Sequence, residues 1–173
     1  KKLVGLVTGV TLCNSAEVQL CCFGKVVICG NFCKRFQYFT FHGIYRNAPT
    51  QVYDRVKNVN ASLQALSKIF MGAEIVDVWH TGTSLPYGTK ALSALPKGIS
   101  SLKTSDVGAV ISQVVKDGKT YVAIVNKDFN KDMTLDIAFS RKVTKIDNMG
   151  YKAQAQSENI TVSPGNIVIY QIH

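Results

Sequence analysis

At 173 residues, with 46% hydrophobic and 18% charged residues, the chain has an ordinary globular composition. It is long enough for one substantial core, or for one domain plus part of another. No apolar run reaches the roughly 18 residues of a membrane-spanning helix, and no membrane partner is expected. A net charge of +9 raises the question of nucleic acid, but no basic run exceeds two residues. No recognition helix or basic-aromatic stripe accompanies that charge, so nucleic acid is not the expected partner.

The chain opens on Lys1-Lys2 and "LVGLVTGV", a faint likeness to a secretion signal without a convincing cleavage site. Beginning on Lys rather than Met, it reads as a processed product or a piece of a longer protein. All five cysteines lie between Cys13 and Cys33. Their number is odd, so at least one cannot pair within the chain. No C-x-x-C occurs, and apolar surroundings such as "LCCF" and "VVIC" favour buried thiols over metal ligands. Residues 1–33 otherwise read as short apolar strands broken by glycines, "GKVVICG" being the clearest.

"RFQYFTF" (35–41) reads as a stronger, aromatic-rich strand ending at His42-Gly43. "IYRNAPT" then reads as a loop into a helix, with Pro49 suited to a first turn. From Thr50 to Met71 the period changes: Val52, Val56, Val59, Leu63, Leu66 and Phe70 recur at intervals of four and three. This predicts an amphipathic helix with that stripe against protein, ended by Gly72.

Everything after Gly72 reads as β. "EIVDVWH" alternates as a strand does, and a Ser/Gly/Pro/Lys-rich connection is expected over Thr81–Thr104. "VGAVISQVV" and "TYVAIVN" follow, joined by Lys116-Asp117-Gly118-Lys119, a strong hairpin signal. "MTLDIAF", "VTKID", "ITVS" and "IVIYQI" complete a series of short strands separated by turns such as "SPGN", the pattern of an antiparallel sandwich. The expected division is an N-terminal strand-helix segment, 1–72, and a β-sandwich, 73–173.

The run "FQYFTF…NAPTQVYDRVKNVNASLQALSKIF…VDVWHTG" resembles the last strand and helix of the (β/α)8 barrel in bacterial glycoside hydrolases of the family 42-like β-galactosidase group. Pro49-Thr50, Tyr53, Val56 and Asn60 stand at the spacing that opens the last barrel helix there. "DGKTYVAIVNKDFNKDMTLDIAF…VTKID…VSPGNIVIYQI" is similar to the C-terminal sandwich of those enzymes. The resemblance begins near Lys34 and fails upstream, where 33 residues cannot hold the seven preceding β/α units. It therefore implies a mainly β chain with one long helix, an antiparallel sandwich preceded by a remnant of a (β/α)8 barrel. It also implies a periplasmic or secreted parent protein.

Retaining glycosidases need two carboxyl groups about 5 Å apart, and the strands that carry them in the family have no recognisable counterpart here. The glutamates are Glu17, Glu74 and Glu158: by the resemblance Glu17 stands where a remnant of the nucleophile strand would fall but has no partner, Glu74 opens a strand, and Glu158 is expected in a polar turn. No catalytic residue, metal ligand or cofactor site is therefore assigned, and the chain is expected to lack catalysis of its own. What the resemblance retains is sugar contact, since barrel sites form at the C-terminal ends of strands. Tyr38, Phe41 and His42 would border that pocket as substrate-binding residues, unless the aromatics are core residues of a displaced strand. Carbohydrate is accordingly the expected ligand, and an orphaned barrel strand implies self-association through the N-terminal third.

Two further readings need weighing. Trp79-His80 is expected to mark the handover between the two parts, with Trp79 packed at the junction and His80 beside a polar loop. The sandwich could instead be a carbohydrate-binding module, which needs coplanar exposed aromatics. Tyr121, Phe139 and Tyr170 fall in strands, which leaves the loop-borne Tyr87, Phe129 and Tyr151 as candidates.

Overall fold

The computed structural model describes residues 44–45, 48–49, 51–128 and 130–173. The strand expected over 35–41, the cysteines and Glu17 lie outside them, as does Phe129. Two two-residue strands, β1 (Ile44–Tyr45) and β2 (Ala48–Pro49), pair antiparallel just before the helix α1 (Gln51–Phe70). Pro49 thus sits in a short ladder opposite Ile44 rather than in the helix. Asp54 in the first turn and Lys68 in the last complement the helix dipole. Gly72, at φ 71°, takes the left-handed conformation that stops the helix.

Beyond the helix every element is a strand: β3 (Glu74–His80), β4 (Ile99–Thr104), β5 (Ala109–Lys116), β6 (Lys119–Asn126), β7 (Met133–Phe139), β8 (Val143–Ile146), β9 (Lys152–Ala155), β10 (Glu158–Val162) and β11 (Ile167–Ile172). A six-stranded sheet has the order β3-β5-β6-β11-β8-β9 and a three-stranded sheet the order β10-β7-β4, with all pairs antiparallel. The chain repeatedly leaves the large sheet for a strand of the small one and returns. Among the described residues the fold is mainly β, two antiparallel sheets with one helix beside the short β1–β2 ladder, as the strand pattern predicts.

Because side chains alternate faces along a strand, the six-stranded sheet feeds two cores. Val110, Val114, Ala123, Val125, Ile146 and Ile169 pack on the helix side with Val59, Leu66, Ile69 and Phe70 of α1. Ala109, Ile111, Val122, Ile124, Val168 and Tyr170 pack on the other side against Met133, Leu135 and Ile137 of the small sheet. The large sheet is therefore the middle of three layers. That explains why β5, β6 and β11 read as nearly continuous apolar runs, whereas β7, covered on one face, strictly alternates at its start.

The helix face differs from the expected stripe. Val59, Leu66 and Phe70 are buried and Val56 and Leu63 half-buried, but Ser62 and Ile69 are also buried. The contact face is turned toward them, and it runs from Val59 to the end of α1. Each large side chain buried there stabilises by about 2 kcal/mol. Beyond the helix two strands fall where none is expected: β4, inside the stretch read as a connection, and β9, "KAQA"; β1 and β2 likewise fall in the stretch read as a loop. Trp79 is 8% exposed and lies in the core between the two sheets, not at a junction with the helical segment.

Candidate functional site

Tyr38, Phe41 and His42 lie outside the described residues. The polar chemistry of the described part falls into three clusters, each made by particular strands. The first closes one open side of the sandwich. Lys145 on β8 stands directly across from Tyr170 on β11, so both face the inter-sheet core. Glu158 opens β10 opposite the buried Ile137, and so points inward from the other sheet. It is a strand residue, not the turn residue expected. Its Oε2 accepts from Lys145 Nζ at 2.7 Å and from the Tyr170 hydroxyl at 3.3 Å. The Phe139 ring lies 4.9 Å from that of Tyr170, tilted by 53°. Burial first, and then the Glu158 carboxylate, holds the Tyr170 phenol far above its ordinary value. That phenol stays protonated at physiological pH and serves as a hydrogen-bond donor, not as a base.

The second cluster anchors the connection 81–98. The hydroxyls of Thr81 and Thr104 share a 2.8 Å hydrogen bond, and Thr81 Oγ1 also accepts from the Ala109 backbone N–H at 2.8 Å. Lys127 Nζ donates to the carbonyls of Thr81 and Ser84 at 2.7 and 2.6 Å. Burial pushes the Lys127 ammonium below its ordinary value. The ammonium is spent on holding a loop. Further along, Thr89 donates to the Pro86 carbonyl through both its backbone N–H and its hydroxyl. This turn leaves Tyr87 fully exposed.

The third cluster is the β3 edge. His80 is buried, and its backbone N–H and carbonyl bond Lys90 and Leu92, which makes a short parallel bridge at Ala91. Asp77 accepts from Lys90 Nζ at 3.0 Å beside a β-bulge. A bulge, an ion pair and a returning segment blunt an edge that could otherwise pair with another chain. Other aspartates stabilise turns: Asp147 Oδ1 accepts from the N–H groups of Met149 and Tyr151, and Asp128 Oδ1 from those of Asn130 and Lys131. Among the described residues no group of three or more His, Cys, Asp or Glu side chains is placed to hold a metal.

Of the loop aromatics, Tyr87 follows β3 and Tyr151 precedes β9, and both are exposed. Those strands are the two edges of the six-stranded sheet, five inter-strand spacings or about 24 Å apart. Sequence reasoning missed the Lys145–Glu158 pair, although strand parity carries the signal: Lys145 shares a face with Val143, and Glu158 with Ile160 and Val162. No family model, curated protein or solved structure matches the chain.

Proposed function

We propose that the chain is the C-terminal portion of a glycoside hydrolase-like protein. In this reading the sandwich is a structural accessory domain without catalysis of its own, and α1 is the brace that mounts it. The observation that carries the proposal is the division of α1 along its length. From Val59 onward it buries Val59, Leu66, Ile69 and Phe70 against the six-stranded sheet, while in residues 51–58 the deepest described side chain is the half-buried Val56. A helix fixed to the sandwich from Val59 onward has its first two turns available to what precedes it. The charged side chains support the same reading, since Lys127, Lys145, Asp147 and Glu158 are committed to loops, turns and the sheet-to-sheet clamp. Assay of the purified chain against aryl β-galactosides and β-glucosides tests the proposal, with no turnover expected. Turnover abolished by Glu17→Gln would overturn it.

The fully exposed Tyr87 on its fixed turn favours a second reading, a carbohydrate-binding module. Calorimetric titration with soluble polysaccharides separates the two. Heat that disappears in Tyr87→Ala selects the module, and no heat across several glycans removes it. Self-association through the N-terminal third belongs to the first reading, and light scattering on the full chain measures it.

A further inference from the structure

We propose that Met149 is an oxidation site whose conversion to the sulfoxide releases the tip of the β8–β9 hairpin from α1. The hairpin tip has its own frame. Asp147 Oδ1 accepts from the N–H groups of Met149 and Tyr151 at 2.8 and 2.9 Å, the Gly150 N–H donates to the Asp147 carbonyl at 3.0 Å, and Gly150 has φ 82°. This frame sets the tip on one turn of the helix. Ser62 donates its hydroxyl to Met149 Sδ at 3.2 Å, and a Cβ on Gly150 would stand 3.4 Å from the Ala65 Cβ. The thioether is the tip's hydrogen-bonded contact with the helix. Ser62 is buried, whereas Met149 is 42% exposed, so the side chain that supplies the internal acceptor is itself open to solvent.

The chemistry is an oxygen-atom transfer from a peroxide. The sulfur lone pair attacks the peroxide oxygen and the O–O bond breaks. Sulfur is oxidised by two electrons, and the peroxide is reduced to water or an alcohol. An oxygen added on the lone pair that faces Ser62 does not fit the present 3.2 Å approach, so the tip must move outward. Added on the other lone pair, it turns an apolar contact into a polar, chiral one. Either epimer weakens the contact, and methionine sulfoxide reductases restore it.

The molecule carries its own controls. Met71 is 49% exposed just past the helix, and Met133 is fully buried between the sheets. With the cysteine thiols first alkylated, the full chain, Met71→Leu, Met149→Leu and Ser62→Ala are each compared before and after hydrogen peroxide, and sulfoxides are located by peptide mass spectrometry. Met71 and Met149 should be modified and Met133 spared. Oxidation should lower the thermal midpoint of the full chain and of Met71→Leu by about 3 °C. It should leave Met149→Leu unchanged and have a smaller effect in Ser62→Ala. Amide exchange over 59–66 should rise only where Met149 is oxidised. An unmodified Met149, or equal losses in the full chain and Met149→Leu, would overturn the proposal.

Discussion

The backbone at Gly108 runs against that of Thr81 so closely that a Cβ on Gly108 would fall inside the van der Waals envelope of the Thr81 carbonyl. It would also stand 2.7 Å from the Gly82 Cα. Gly108 has φ 74° and Gly82 φ 98°. Two glycines thus let the turn after β4 pass beneath the end of β3, where Thr81 and Lys127 then fasten the connection.

Gly108→Ala should cost about 3 kcal/mol, since steric overlap with rigid backbone adds to the left-handed penalty. Gly118→Ala is the comparison. That glycine has φ 71° but nothing within 4 Å of its would-be Cβ, so the conformational penalty alone remains, about 1 kcal/mol. Urea midpoints of the two variants measure the difference. Equal losses would mean that the Gly108–Thr81 crossing relaxes freely.

The Lys145–Glu158 pair has side chains only 28% and 18% exposed, and Tyr170 depends on the same oxygen. Glu158→Ala should therefore cost about 2–3 kcal/mol, because it leaves a half-buried ammonium and a buried hydroxyl without their acceptor. Replacing both charges, as Lys145→Met with Glu158→Leu, should recover the share due to the stranded ammonium but not that of the Tyr170 hydroxyl. A double-mutant cycle by chemical denaturation reads the coupling, and strictly additive losses would contradict the clamp.

Alkaline pH should act through Tyr170. The folded state keeps its phenol protonated well above the ordinary value near 10, while the unfolded chain releases that proton. Above pH 10 the folded state therefore binds more protons, and stability falls by up to about 1.4 kcal/mol per pH unit. Tyr121, raised by burial and then by Asp117, adds in the same direction. Lys127, lowered by burial, opposes them just below its ordinary 10.5. Urea midpoints taken between pH 8 and 11 should fall less steeply in Tyr170→Phe than in the unaltered chain. Parallel slopes would remove Tyr170 from the account.

Local chemistry made some of this legible before any coordinates. Asp117 and Gly118 adopt φ 49° and 71°, the paired left-handed turn that Asp-Gly between apolar runs foretells, and the helix ends within a residue of its expected limits. Strands β4 and β9 were hidden because "ISSLKT" and "KAQA" carry too little apolar signal; cross-strand pairing with β7 and β8 makes them strands. Ser62 joined the buried helix face because the hairpin tip covers it, a contact across 87 residues. Tyr38, Phe41 and His42 lie outside the described residues.

Whether α1 is an appendage or part of the sandwich is decided by Leu66. It is 1% exposed and lies among Val110, Val114, Ala123 and Ile169 in the helix-side core. Leu66→Ala should cost about 2–5 kcal/mol by removing a fully enclosed side chain. Val56→Ala, at a half-buried position, should cost less than half as much. A chain begun at Ala73 goes further, because it strips the helix from a sheet face built for cover on both sides. The exposed Val110, Val114, Val125 and Ile169 would form a continuous apolar patch of the kind that drives aggregation. Such a chain should be associated by light scattering and should bind an apolar dye. A monomeric, cooperatively folding chain from Ala73 would instead show that the sandwich stands without its helix, and α1 would then lose its role as brace.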